Sequence, residues 1–405
     1  MTPDNSLSLE ASWQSLAYAG DVPAARAGFK REPADFVVEE ELGFALSGSG
    51  EHQCVQVRKT GIATPQLVKL LARAAGVREF DIGYAGLKDR QGICTQWFSV
   101  YLPGAHDVDF TRHEAFAFPP ESGVEVAFLQ QVRNNRKLRR GSHRANRFLI
   151  RLRDPAFIAA DDAAHKADHE AGDKAGDSAA ESCRGTRDAR PSEPLRLHLE
   201  ARLQRIAAEG VPNYFGEQRF GRAGSNVADA LAMFREAGGA GSGRRRRHGA
   251  GRGMLLSAAR SHIFNTLLSE RVRDGSWNSC LEGEVMNLDG SDSVFGPEQM
   301  SDELLRRVQN FDIHPTGMLW GRGALRSGAG VAALEQRVRD DLAELCDGLE
   351  RAGLEQARRS LRLPVRELQW DWQGGDLRVS FVLPPGAYAT AVLRELCRVE
   401  QETAR

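Results

Sequence analysis

The chain has 405 residues, with 54 Lys and Arg against 55 Asp and Glu, a formal net charge of -1 and 41% hydrophobic residues. That length allows two or three domains with a sizeable core, and the composition is ordinary for a globular protein. Six scattered cysteines without a C-x-x-C pair exclude a disulfide framework or a zinc ribbon and fit a reducing cytoplasm, and no apolar run or leader-like start argues for a membrane or secretion.

In chain order, Phe36–Glu41 and His52–Arg58 read as strands. Thr64-Pro65 opens a helix, with Thr64 as its cap. Leu67, Val68, Leu70 and Leu71 give it one apolar face, and Gly76 stops it. Gln96–Leu102 and Phe148–Leu152 read as further strands. From about 160 to 192 the chain is acidic and poor in large apolar groups, too poor to offset its ordering entropy, so it reads as a disordered or weakly helical loop insertion. His165 and His169 within it lie four apart, but in such a tract they read as solvated residues, not metal ligands. Helices are expected over 195–209, 255–273 and 331–353, the last returning the chain to the first domain. A strand at 377–383 and a helix at 388–401 close the chain.

The near-zero net charge hides segregation. Between Glu125 and Asp154 there is no acidic residue, while Arg133, Arg136, Lys137, Arg139, Arg140, Arg144, Arg147, Arg151 and Arg153 fall there. A second basic cluster is Arg244 to Arg247. Two such runs, one leading into an apolar strand, point to phosphate-backbone binding. No G-x-x-x-x-G-K-[ST] nucleotide loop is present.

The densest chemistry lies at Ala85-Gly86-Leu87-Lys88-Asp89-Arg90-Gln91-Gly92. Asp89 sits between two cations in a glycine-bounded turn. Nearby positive charge keeps a carboxylate ionised, and such a group can act as nucleophile or base. This stretch resembles the catalytic motif of the tRNA pseudouridine synthase D (TruD) family, where the Asp is the indispensable residue. Lys30 followed by Pro33-Ala34-Asp35-Phe36-Val37-Val38-Glu39-Glu40 is similar to that family's N-terminal motif, and Ala145-Asn146-Arg147-Phe148 to its N-x-F motif. So are Pro212–Gly221 with Gly224-Ser225-Asn226, Ser257–Asn265 and Leu383–Thr390, so the resemblance spans nearly the whole chain outside 160–192.

The resemblance implies an α/β (α+β) fold: a pseudouridine synthase catalytic domain with a mixed, largely antiparallel sheet, and an inserted family-specific α/β domain, together V-shaped. The expected boundaries are 1–209 and 346–405 for the first and 210–345 for the second. It implies isomerisation of uridine to pseudouridine, at uridine 13 of tRNA, by a base-flipping mechanism with Asp89 as catalytic residue and no cofactor or metal. Lys30 would keep Asp89 charged, Asn146 would orient its carboxylate by a hydrogen bond, and Phe148 would stack on the base. Asn146 and Phe148, two apart on a strand, share one face. Arg136, Lys137, Arg139, Arg140 and Arg219 are expected to touch RNA phosphates, with Arg260 a further contact. The partner implied is tRNA, with no membrane and no protein partner required, in the cytoplasm. A catalytically silent RNA-binding or RNA-folding factor is the alternative; it would have no need of the Asp89, Lys30, Asn146 and Phe148 set. A deaminase would require His/Cys zinc ligands at fixed spacing, which are missing.

Overall fold

The computed structural model describes residues 13–104, 106–159, 190–221, 224–238 and 250–401. Nearly all of the 160–192 tract, with His165 and His169, and the Arg244–Arg247 cluster lie outside the described residues. The chain forms two compact units. One comprises Pro23–Gln204, Val365–Gly386 and Leu396–Arg405, the other Met1–Val22, Arg205–Pro364 and Ala387–Glu395.

The strands are β1 (Ala25–Phe29), β2 (Phe36–Glu41), β3 (His52–Thr60), β4 (Ile82–Tyr84), β5 (Ile93–Tyr101), β6 (Glu125–Asn134), β7 (Ala145–Phe157), β8 (Val211–Pro212), β9 (Glu284–Leu288), β10 (Val294–Glu298), β11 (Ile313–Leu319), β12 (Ala357–Ser360), β13 (Arg362–Leu363), β14 (Arg366–Gln373), β15 (Asp376–Leu383) and β16 (Arg398–Glu400).

The first unit is built on one sheet in the order β14-β15-β7-β2-β5-β3-β6, with β1 joined to β7 and β16, and β4 joined to β5. Among the described strands of this sheet, β2–β5 and β1–β16 run parallel and the other pairs antiparallel, so the sheet is mixed and largely antiparallel, as expected. Register decides which side chains share a face. Val38 lies opposite both Phe148 and Cys94, Glu40 opposite Asn146, and Phe148 opposite Phe381. Cys94 lies opposite Lys59, and Gln96 opposite Val57. One face therefore carries Lys59, Cys94, Gln96, Val38, Glu40, Asn146, Phe148 and Phe381 across five strands.

The helix Thr64–Ala75 covers the β3 and β5 part of that face with Leu67, Val68 and Leu71. Each such burial contributes roughly 2 kcal/mol. The helix ends at Gly76, whose left-handed φ of 65° a side chain would resist. Its cap is Ala63, not Thr64; the Thr64 hydroxyl instead bonds to the Lys88 N–H and Gln96. On the opposite face the β6–β7 connection crosses the sheet and packs Leu138 on Cys54 and Trp97.

The second unit holds the four-stranded antiparallel sheet β10-β9-β11-β12 and the pair β13-β8. Helices Ser225–Gly238, Ala250–Arg273, Ala329–Asp341 and Ala343–Arg351 share one core, with Phe234, Ile263, Met318, Val338 and Leu349 buried together. Two elements differ from what the sequence predicts. The 331–353 stretch forms two helices, and both stay in this unit, so the chain returns to the large sheet only at Val365. The closing helix is shorter than expected, Ala389–Leu396, because Arg398–Glu400 instead pairs with β1.

Candidate active site

The turn carrying Asp89 lies between β4 and β5 and is held from beneath by the sheet face. Lys59, fully buried on β3, donates to the carbonyls of Asp89 at 2.7 Å and Ile62 at 2.8 Å. Glu40 on β2 accepts from Lys88 Nζ at 2.6 Å through one oxygen and from the Trp97 N–H at 3.1 Å through the other. Gln96 on β5 donates to the Gly86 carbonyl. Thr64 Oγ1 accepts from the Lys88 N–H at 3.0 Å and reaches Gln96 Oε1 at 3.1 Å, so it links helix to turn. Arg90 is tied to Gly61 in both directions at 3.0 Å. At Gly92 a side chain is barred, since a Cβ would lie 2.5 Å from the Phe36 carbonyl oxygen.

Within this cradle Asp89 accepts from Lys30 Nζ through Oδ2 and from the Gln91 N–H through Oδ1 at 3.0 Å. The Lys30 side chain is 4% exposed and that of Asp89 24%, so the cation is sealed in while the carboxylate keeps an open side. Burial pushes the Asp89 carboxyl up, but the Lys30 ammonium, the Gln91 N–H and Lys59 outweigh it and hold it below the usual carboxylate value. The site thus presents a carboxylate that stays ionised at neutral pH and is open on one side. Lys30 also lies 4.0 Å from the centroid of the Phe36 ring. Its backbone is left-handed, with φ 57°, an arrangement costing about 1 kcal/mol that persists only where surroundings enforce it.

Asn146 and Phe148 do share a face, and both are buried. Phe148 sits 5.9 Å from Phe36 and 5.4 Å from Phe381 by ring centroids, so it is linked to Lys30 through Phe36. Asn146 does not bond to Asp89 as expected. Its Nδ2 donates to His143 Nε2 at 3.1 Å, because the end of the β6–β7 connection brings that imidazole alongside. His143 is itself next to the turn; a Cβ on Gly86 would lie 3.5 Å from its Cε1. Burial, aided by the Lys88 charge, pushes His143 down to about 4, so the ring is neutral and can accept at Nε2. Among the described residues Asn146 Oδ1 and His143 Nδ1 have no partner.

Of the basic residues, Arg136, Arg139 and Arg140 are exposed. Arg136 and Arg139 line an open groove of about 890 Å³ with Phe44, His52, Asn135 and Lys137. Lys137 also donates to the Phe80 carbonyl, and Arg140 to the Tyr84 hydroxyl at 2.7 Å. In the second unit Arg219 donates to the Tyr388 hydroxyl at 2.7 and 3.1 Å and to Ser257 Oγ at 3.0 Å, so all three of its nitrogens are engaged within the protein. Arg260 donates to the carbonyls of Leu319 and Glu355.

Sequence reading missed Glu40, Lys59, Thr64, Gln96 and His143. For the first two a signal existed. Glu40 continues the inward alternation of Phe36 and Val38, and Lys59 that of Val55 and Val57, so a charge at either position calls for a partner. His143 carried none, since its place depends on where a long connection returns.

An ionised carboxylate, locked by a sealed ammonium and a backbone N–H on an aromatic sheet face, is a group chemically equipped for nucleophilic or base chemistry. The profile of the tRNA pseudouridine synthase D (TruD) family matches residues 14–176 and 250–396. A tRNA pseudouridine synthase D of Nitrosococcus oceani is 43% identical over 394 residues, covering 97% of this chain and 96% of its own. That of Aeromonas salmonicida is 41% identical over 388 residues, covering 96% and 95%. The crystal structure of a candidate tRNA pseudouridine synthase D from Methanosarcina mazei shares the fold, with a TM-score of 0.62, 19% identity and coverage of 94% and 95%. The chain belongs to the tRNA pseudouridine synthase D family and is an enzyme, an isomerase of the pseudouridine synthase class.

Proposed function

We propose that this enzyme converts uridine 13 of tRNA to pseudouridine, with Asp89 as its catalytic residue. The observation that carries the reading is the Asp89 carboxylate, held ionised by Lys30 yet open on one side, on the face that presents Phe148. Reaching the base requires taking the nucleotide out of its stack. The flipped uridine then lies with its ribose C1′ toward Asp89 and its base toward Phe148. Asp89 assists cleavage of the N1–C1′ bond. The freed uracil turns, C5 bonds to C1′, the C5 proton is lost and N1 gains one, so atoms balance without redox change or hydrolysis. Lys30 holds the charge on Asp89 throughout, and the cradle of Lys59, Glu40, Gln96 and Thr64 keeps the turn from recoiling. Arg136 and Arg139 supply phosphate contacts. Relatives bearing the name tRNA pseudouridine synthase D over nearly their full length support the choice of tRNA. The test is a map of pseudouridine in cellular tRNA with and without this protein. Loss of the signal at position 13 is expected; an unchanged map would refute the assignment.

A further inference from the structure

Asn146 holds one buried hydrogen-bonding atom with nothing to bind. Its side chain is fixed, because Nδ2 is spent on His143 Nε2 at 3.1 Å. That leaves Oδ1 facing away from the imidazole, buried and without a partner among the described residues. Asn146 is 9% exposed and His143 6%, so bulk water does not freely serve either. A buried acceptor left open costs about 1–3 kcal/mol, which makes it a place where a ligand donor is expected. Two residues along the same strand and on the same face is Phe148, against which the proposed function lays the base.

We infer that Asn146 Oδ1 accepts the N3–H of the target uracil and that His143 is the positioning residue that turns the amide to do so. Uracil offers one ring N–H donor away from its glycosidic bond, and that is N3–H. Cytosine offers a lone pair at N3 instead, so the same oxygen would face another acceptor. An acceptor there selects uracil by attraction and rejects cytosine by repulsion. The choice of N3 over the carbonyls also follows from the reaction. N1 and C5 exchange places when the ring turns about the line through C6 and N3. O2 and O4 swap during that turn, whereas N3–H stays on the axis. A bond to N3–H can therefore hold the base before, during and after rotation, acting as a pivot. His143 Nε2 must accept for this to work, so the proton sits on Nδ1.

The inference rests on the proposed uridine chemistry, and the experiment separates the two. Affinity would be measured in the Asp89→Asn background, which keeps the base unreacted, for target RNAs carrying uridine, cytidine or 3-deazauridine at the reactive position. 3-Deazauridine replaces N3–H with a carbon-bound hydrogen. With His143 and Asn146 intact, uridine should bind about tenfold tighter than either analogue. Adding Asn146→Leu or His143→Leu should bring the ratios near one. His143→Gln, whose amide oxygen can take the place of Nε2, should restore them. Equal binding of all three RNAs with His143 and Asn146 intact would overturn the inference, a result that needs no further variant to fold. So would ratios unchanged by Asn146→Leu, or His143→Gln behaving like His143→Leu with both melting alike. Unimpaired uridine turnover by the unaltered enzyme, alongside any of those results, would leave the proposed function standing.

Discussion

Replacing Lys30 with Met removes the ammonium that faces Asp89 while keeping a long side chain. Met meets the same left-handed backbone as Lys, so no new backbone cost enters. Breaking a fully buried ion pair from one side costs about 3–5 kcal/mol. Lys30 is 4% exposed but Asp89 24%, and the water reaching Asp89 places the cost near the low end, about 3 kcal/mol. Asp89→Asn breaks the pair from the other side and strands the sealed ammonium at a similar cost. The double variant leaves neither charge unpaired, so its loss should fall short of the sum of the singles by about 2–3 kcal/mol. Urea unfolding of the four proteins at pH 7 would measure this coupling. The pH dependence adds a sign. In the wild type the carboxyl lies below its ordinary value, so its stabilisation is fully present above about pH 4 and is lost only as pH falls through that lowered value. Without Lys30 burial acts with less opposition and the carboxyl rises, so the Lys30→Met deficit should shrink as pH falls from 7 toward 5. Strictly additive losses, or a deficit that grows on acidification, would refute the ion-pair account.

Arg136→Ala with Arg139→Ala should lower the slope of log affinity against log salt by roughly 1.5–2 units, equally for target and non-target tRNA, as filter binding across salt concentrations would show. Deleting 160–189 should leave melting temperature and turnover nearly unchanged, because the tract's composition offers little to bury; a large fall in either would contradict that. His262 is pushed down to about 4 by burial, against about 6.5 unfolded, so stability should be full above pH 6.5 and decline toward pH 4. His262 contributes roughly 3 kcal/mol of that decline, so the fall should shrink by about that much in His262→Leu while the share from His143, also near 4, remains, measured as melting temperature against pH.

Much of the large sheet was legible in the sequence because its strands alternate or stop at clear signals. Phe36–Glu41 was read to the residue, and the ends of helix Thr64–Ala75 follow from Pro65 and Gly76. Asp89, Lys30, Asn146 and Phe148 were visible as motif residues. The architecture beneath them was not, because it rests on register between strands far apart in the chain. Only pairing Lys59 with Cys94, and Val38 with both Cys94 and Phe148, puts these groups on one face. Asn146's partner was misread for the same reason, since His143 reaches it by a crossing connection. The runs of basic residues looked uniform, yet the Lys137 ammonium and the Arg140 guanidinium are engaged by Phe80 and Tyr84, whereas Arg136 and Arg139 line the groove with no such side-chain bond among the described residues. Composition cannot tell a tethered cation from a free one.

The central claim is that the Asp89 carboxylate performs the chemistry. Asp89→Asn keeps the shape of the side chain and loses its charge and basicity. The decisive measurement is single-turnover pseudouridine formation on target tRNA by this variant, with tRNA affinity measured in parallel and mass spectrometry excluding deamidation. The account predicts no detectable product with affinity within a few fold of the wild type. Product formed by the Asp89→Asn protein, shown free of deamidation, would contradict it.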